Sequence, residues 1–306
     1  MNKIPVIETV AESYRFIFGG LGKIIGLIWL PILILTIGSY FTLVPYFSGM
    51  PAALEAGDIS QQSMLYLRVL AFDLVMIVLI AMIAVAITRE VLTPHKGVSY
   101  IHFSLGLTEF RVIGGLLGLF VLLIVFVIAL VMIGTIAVFV LKAGLPGMAG
   151  GKQALGFVGL ITLIGGLVLV YFLVRLSFLL VPAAVAEGNF GIERSWKLTK
   201  GNFLRILGVG LLTLLPTMLV CLSVDIAVIG PEFFQPPGDL PMDAAAQAHL
   251  QAAQFRALAA HMPVLAGIGF LLAPLTYGLT FAPAAFAYRA LKAKAAAEAP
   301  SLPRIA

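Results

Sequence analysis

Six long apolar stretches, separated by short polar segments, are the main feature of the hydrophobic and polar pattern along the chain. Each contains about 20 residues or more, the length that a helix needs to cross the hydrocarbon core of a bilayer. Helices are expected because lipid offers the backbone no hydrogen-bond partner. The pattern therefore predicts an all-α, polytopic membrane protein. Its six transmembrane helices are expected over residues 24–44, 64–88, 112–141, 154–186, 204–229 and 262–288.

Short amphipathic stretches precede the odd-numbered spans. The first, VIETVAESYRFIFGGLGK, has an apolar helix face formed by Ile7, Val10, Tyr14, Ile17 and Leu21. The third, GIERSWKLTKGNFLR, has Ile192 and Trp196 on one face. Its charged residues Glu193, Lys197 and Lys200 share another face. Apolar faces with basic rims are typical of interfacial helices, which either anchor the bundle or form a specific lipid or partner site.

The first and third stretches also align with each other without a gap. Ser13-Tyr14-Arg15 matches Ser195-Trp196-Lys197, and Lys23 matches Arg205. The middle connector matches more weakly. These matches predict three helical-hairpin repeats, over about 1–92, 93–186 and 187–292, and a biased composition is the alternative source of the similarity. The units would form a single membrane domain over 1–292, followed by a flexible cytoplasmic tail over 293–306.

Composition excludes a soluble domain. Of the 306 residues, 61% are hydrophobic and only 11% are charged, too few charges to cover the surface of a soluble fold. Mean hydropathy is +1.10. The only cysteine, Cys221, lies in an apolar run, so no intrachain disulfide can form and a small buried hydrophobic role is expected.

The distribution of basic residues predicts the orientation. Segments 1–23, 89–111, 187–205 and 289–306 carry 14 of the 19 lysines and arginines, and the opposite segments carry three. By the positive-inside rule both termini are expected in the cytoplasm, and the protein in a bacterial inner membrane. The same bias accounts for the pI of about 9.4 without a nucleic-acid partner.

Four charged residues lie within the predicted spans, where each costs at least about 2.5 kcal/mol. Arg175 is the strongest candidate because a guanidinium suits a phospholipid phosphate. The alternative is an ion pair with Glu90, Glu109 or Glu187. Asp73 and Asp225 lie at comparable depths and would mark an ion path. In the simpler interpretation Asp73 meets Arg68 and Asp225 reaches water.

The longest exterior segment, residues 230–261, begins with prolines and continues with an alanine-rich run that favours a helix. We expect a helix lying across the mouth of the bundle, as a spacer or a lid. His249 and His261 fall on this segment, where a solvated surface is favoured over a zinc site.

One segment resembles a known family. In RLSFLLVPAAVAEGNFGIERSWKLTKGNFLRILG, an arginine late in a span precedes a proline, a Glu-Gly pair and then Arg-Ser-Trp. This order is similar to the bacterial glycerophosphoryl diester phosphodiesterase membrane-domain family and its stand-alone, uncharacterised relatives, and the similarity extends over nearly the whole chain. In the fused relatives the chemistry would belong to a separate soluble barrel. The sequence has nothing equivalent to that barrel, so the resemblance implies a membrane module and no phosphodiesterase activity.

Motifs for catalysis are absent from the sequence. There is no phosphate loop and no H-E-x-x-H, C-x-x-C or G-x-S-x-G, and no cofactor or metal is expected. We therefore predict a non-enzymatic membrane module that binds anionic lipid or a partner membrane protein through its basic cytoplasmic helices. A small transporter or channel using Arg175, Asp73 and Asp225 is the alternative. The residues expected at the binding site are Arg175, Glu187, Arg194, Trp196, Lys197 and Lys200.

Overall fold

The computed structural model describes residues 3–94, 105–144, 152–230, 233 and 244–298. These residues form helices without any strand, which confirms the predicted all-α fold class. Residues 95–104, which include the start of the middle connector, and much of the proline-rich segment lie outside the described residues. The helices are α1 Val6–Gly19, α2 Leu21–Glu55, α3 Ile59–Leu92, α4 Leu107–Gly144, α5 Lys152–Ser177, α6 Leu180–Glu187, α7 Ile192–Leu198, α8 Phe203–Ile229 and α9 Ala244–Glu298.

Six of the described helical segments are long and apolar enough to cross a membrane, so the protein is a multi-pass membrane protein. They are α2, α3, α4, α5 together with α6, α8 and α9. Large apolar side chains such as Val125, Ile128 and Val131 are exposed on α4, as expected for a surface that faces lipid.

Ion pairs identify the two ends of the bundle. We call the end that carries α1, α7 and the last turns of α9 the basic end, and the opposite one the far end. At the basic end Lys23 pairs with Glu90 at 2.6 Å. At the far end Arg256 pairs with Glu55, also at 2.6 Å.

The exterior helix predicted to lie across the mouth of the bundle does not do so. It continues without a break into the sixth span, which makes α9 a helix of 55 residues. At 1.5 Å per residue α9 is about 80 Å long, far more than a bilayer core of about 30 Å. Phe255 on this extension packs against Tyr46 of α2, with ring centroids 5.7 Å apart. α9 also continues through residues 293–298, which the sequence assigned to a flexible tail.

The buried core lies toward the basic end and is assembled from distant parts of the chain. Its first cluster joins Ile17 of α1, Ile28 of α2 and Ile87 of α3 to Phe286 of α9. A second cluster joins α3 and α4 to α5 and α6, and a third joins the segment before α1 to α6, α8 and α9. The helices that were predicted to lie at the membrane interface, α1 and α7, are therefore packed into the bundle.

The buried face of α1 matches the predicted apolar face in part. Ile17 is buried, and Val10 and Tyr14 pack against the core, whereas Ile7 is 74% exposed and Leu21, the first residue of α2, is also exposed. The buried face also includes Thr9 and Ser13, small polar residues that allow the helix to approach α8 and α9 closely. Tyr14 reaches α8, where its hydroxyl donates to the Leu212 carbonyl at 3.0 Å, and burial raises the pKa of this phenol.

The fourth span is broken, although a single helix over 154–186 was predicted. The Ser195 hydroxyl of α7 enters between α5 and α6. It donates to the Arg175 carbonyl at 2.9 Å and accepts from the Leu179 amide at 3.2 Å. These are the two groups that an unbroken helix would join directly. Pro182 lies in the first turn of α6, where no amide donor is needed.

Short helices precede long ones in two of the three predicted units, as α1 before α2 and α7 before α8. Gly20 separates the first pair, and Gly201, with φ of +74°, lies in the turn of the second. The equivalence of the three units stays a prediction, because residues 95–104, which lead into the long helix of the middle unit, lie outside the described residues.

Candidate functional site

Arg175 lies at the centre of the predicted site and is 6% exposed. Its Nη2 donates to the Trp196 carbonyl at 2.7 Å and its Nη1 to the Tyr171 hydroxyl at 2.9 Å. A longer contact of 3.4 Å joins its Nε to the Thr199 hydroxyl. The guanidinium carbon also lies 3.5 Å from the centre of the Trp196 ring. The arginine thus holds the break between α5 and α6 against α7.

The predicted ion pair between Arg175 and a carboxylate is wrong. Glu90 pairs with Lys23, Glu109 with Arg89 and Glu187 with Arg194. Arg175 instead binds neutral acceptors, of which the Trp196 carbonyl is one of the last carbonyls of α7. Such groups lack a partner within the helix and carry partial negative charge. The C-terminal end of α7 therefore compensates the charge of Arg175, where the sequence analysis had expected a carboxylate.

Gly191 fixes the start of α7 close to α6. Its φ is +77°, a conformation that side chains disfavour. A Cβ at this position would lie 2.2 Å from the Leu180 carbonyl oxygen. Only glycine fits here without a shift of the backbone, and this close packing places Ser195 at the break.

Glu187 is the most highly connected carboxylate at the basic end. Its Oε1 accepts from the Tyr288 hydroxyl at 2.8 Å and from the Arg194 Nε at 2.9 Å. The Lys292 ammonium lies 3.2 Å away. The structure therefore brings Glu187 and Arg194 together in a cluster that connects α6, α7 and α9.

Lys197 lies on the exposed face of α7, and Lys200 is exposed in the turn that follows this helix. Lys197 donates to Glu193 in the predicted i, i+4 pair, and this hydrogen bond lowers the pKa of Glu193. Lys200 forms no ion pair with any described residue. A groove of about 490 Å³ is lined by Lys197 together with Phe190, Glu193 and Arg194. The residues predicted for the site thus divide into a buried cluster and an exposed basic face.

A second basic feature escaped the sequence analysis. A recess of about 400 Å³ lies between α1, α2, α3 and α9 and is lined by Arg15, Lys23 and Arg289, which we call the Arg15 recess. Glu90 is the one acidic residue of the lining. The apolar lining residues are Phe16, Ile24, Leu27, Val91 and Phe286.

The three basic residues of the Arg15 recess have different partners. Lys23 contacts Glu90, and Arg289 donates to Glu12 at 3.0 Å at the edge of the recess. Arg15 forms no ion pair within the described part of the chain. The internal alignment had already paired Arg15 and Lys23 with basic residues, but nothing in the sequence places Arg289, 274 positions further on, beside them.

Asp73 and Asp225 do not share a site. Asp225 lines a cavity of about 350 Å³ between α2, α8 and α9, and Asp73 is absent from its lining. Asp73 does not meet Arg68 either, since the described residues contain no such ion pair. Positions five apart point to different sides of a helix, so that prediction was wrong. No described group of His, Cys, Asp and Glu could hold a metal ion.

Comparison with known proteins gives one match. The family model described as "Domain of unknown function (DUF7847)" matches residues 102–291, more than half of the chain. The matched range includes the break between α5 and α6, and α7 to most of α9, but not α1 to α3. No curated protein and no solved structure matches the chain.

Proposed function

The chain belongs to this family of unknown function, and from its geometry we propose a non-enzymatic membrane module that binds anionic phospholipid at its basic end. The Arg15 recess carries the proposal. It combines guanidinium and ammonium groups, which bind phosphate, with apolar residues suited to the first part of an acyl chain. Arg15 has no ion pair among the described residues and is the group available to a new anion.

The exposed face of α7 supports the same function. Lys197 and Lys200 would attract anionic headgroups, at about 1 kcal/mol for each residue near the membrane surface. Phe190, which is 60% exposed, lines the same groove as Lys197 and would enter the interface. In this proposal Arg175 is a positioning residue that orients α7, and the lipid contacts come from residues at the surface.

The cellular membrane that holds the protein, and its orientation there, are also part of the proposal. We place the basic end in the cytoplasm of a bacterium and the spans in its inner membrane, because 14 of the 19 lysines and arginines fall on that side. Kinship with the glycerophosphoryl diester phosphodiesterase membrane-domain family is part of the same proposal. It is supported by the sequence from Arg175 to Trp196, whose two ends meet in the buried cluster.

Native mass spectrometry of the protein released from nanodiscs tests this function. The nanodiscs contain equal amounts of phosphatidylglycerol and phosphatidylcholine. We expect bound phosphatidylglycerol on the unaltered protein and at least a tenfold weaker affinity in the double variant Arg15→Gln with Arg289→Gln. One charge-assisted hydrogen bond is worth about 1.5–3 kcal/mol, which corresponds to tenfold or more.

Arg256→Gln is the matched control, because it removes an arginine at the far end. It should leave phosphatidylglycerol binding unchanged. A folded double variant that retains as much phosphatidylglycerol as the unaltered protein would refute the lipid proposal. A stoichiometric partner protein in place of lipid would also overturn it, and would make the chain an accessory subunit.

A further inference from the structure

A cavity in the half of the bundle toward the far end is separate from the basic features described above. It has a volume of about 350 Å³ and lies between α2, α8 and α9. Leu35, Leu265, Ile268 and Phe270 are among its apolar lining residues. We call it the Asp225 cavity, after the one charged residue in its lining.

Asp225 lies four residues before the end of α8 at Ile229, about 6 Å along the helix axis. Its carboxylate forms no ion pair with any described residue, and no lysine or arginine lines the cavity. The far-end arginine, Arg256, does not line the cavity and is paired with Glu55. A carboxylate among apolar side chains is costly unless a cation accompanies it.

The other polar and aromatic lining residues narrow the class of cation. Thr36, Ser39 and Thr276 supply hydroxyl oxygens, and Phe270 and Tyr277 supply aromatic rings. A single carboxylate among side-chain hydroxyls is a poor set for Ca²⁺ or Mg²⁺, whose protein ligands are mainly carboxylate and carbonyl oxygens. Aromatic rings beside a carboxylate, in a cavity walled by aliphatic side chains, suit an ammonium group on an apolar body.

We infer that the Asp225 cavity binds an amphipathic organic cation. Its ammonium group pairs with Asp225 and contacts the Phe270 and Tyr277 rings, and its apolar part fills the space between α2 and α9. The volume lies within the usual range for small-molecule sites, about 300–1,000 Å³. This inference is independent of lipid binding at the basic end.

Cys221 provides a direct test, because it lines the same cavity and is the only cysteine in the chain. The rate of its alkylation by N-ethylmaleimide is measured in nanodiscs with increasing benzyltrimethylammonium. The control ligand is neopentylbenzene, a neutral molecule of the same shape. We expect the cation to slow alkylation at least fivefold and the neutral molecule to have little effect.

Asp225→Asn should weaken protection by the cation about tenfold, because it removes the charge and keeps the shape. Asp73→Asn is the matched control, since Asp73 does not line the cavity, and should retain full protection. Equal protection by both ligands, or unchanged protection in Asp225→Asn, would overturn the inference and leave an apolar gap that lipid fills. If Cys221 is unreactive, calorimetric titration with the same cation decides, and absence of binding refutes the inference.

Discussion

Replacing Arg175 by lysine separates a positioning role from a phosphate-binding role. The substitution keeps the positive charge but removes the planar group that lies over Trp196. It also leaves a single ammonium to replace donors aimed at the Trp196 carbonyl and the Tyr171 hydroxyl. An ammonium can still attract a phosphate, whereas it cannot reproduce this set of contacts.

The expected loss of stability follows from these contacts. One hydrogen bond from a charged donor contributes about 1.5–3 kcal/mol. The contact of the guanidinium with the Trp196 ring adds about 1–2 kcal/mol in a desolvated position. Allowing for partial compensation by the lysine, we expect Arg175→Lys to lower the free energy of unfolding by about 2–4 kcal/mol.

The chain offers a convenient fluorescence assay because it contains two tryptophans, Trp29 and Trp196. In a Trp29→Phe background the emission of Trp196 reports directly on α7. Unfolding is followed by titration with sodium dodecyl sulfate in mixed micelles, with and without the Arg175→Lys substitution. Arg68→Lys is the control, since Arg68 is exposed and has no ion pair with a described residue.

Two results would refute the reasoning. An unchanged free energy of unfolding in Arg175→Lys would mean that the guanidinium contacts contribute little to the packing of α7. A large loss of phosphatidylglycerol in a fully stable Arg175→Lys or Arg175→Gln variant would identify Arg175 as a lipid ligand. A lower free energy of unfolding in Arg175→Lys, with lipid still bound to the folded fraction, is the outcome that we expect.

Three further substitutions test the packing at the basic end. Ser195→Ala leaves the buried Leu179 amide without its acceptor and should cost about 1–3 kcal/mol in the same dodecyl sulfate titration. Gly191→Ala combines an unfavourable positive φ with a backbone clash, and should cost about 3 kcal/mol or more and lower the thermal midpoint. Asn202→Ala removes the acceptor for the Ile4 amide, so hydrogen exchange at residues 3–6 should be about tenfold faster.

The transmembrane helices could be predicted because each depends on a local property, an apolar run of sufficient length. The residues at which these helices begin and end were harder to predict. The fourth span breaks after Ser177 although Arg175 is the only charged residue within it, because the hydroxyl that replaces its hydrogen bond belongs to Ser195. The sixth extends to Ala244 because its alanine-rich start is a good helix former with a surface to pack on, supplied by Tyr46.

The sequence indicated which residues to consider for the candidate site, but not which groups they contact. Arg175 stood out in the sequence because an arginine within a span requires compensation, and its side chain is buried in the structure. The sequence analysis searched for a carboxylate side chain as the partner of this arginine. It missed the real acceptor because that acceptor is a backbone group, the carbonyl of Trp196. The Arg15 recess was missed because it requires α1 and the end of α9 to be neighbours.

The first core cluster has a consequence for the synthesis of the protein. Ile17, Ile28 and Ile87 are synthesised well before Phe286, which packs with them. The earlier spans therefore enter the bilayer one by one and wait, inserted but without their final neighbour. Synthesis of α9 is the event that permits the bundle to close, and a chain terminated within α9 would be left to membrane proteases.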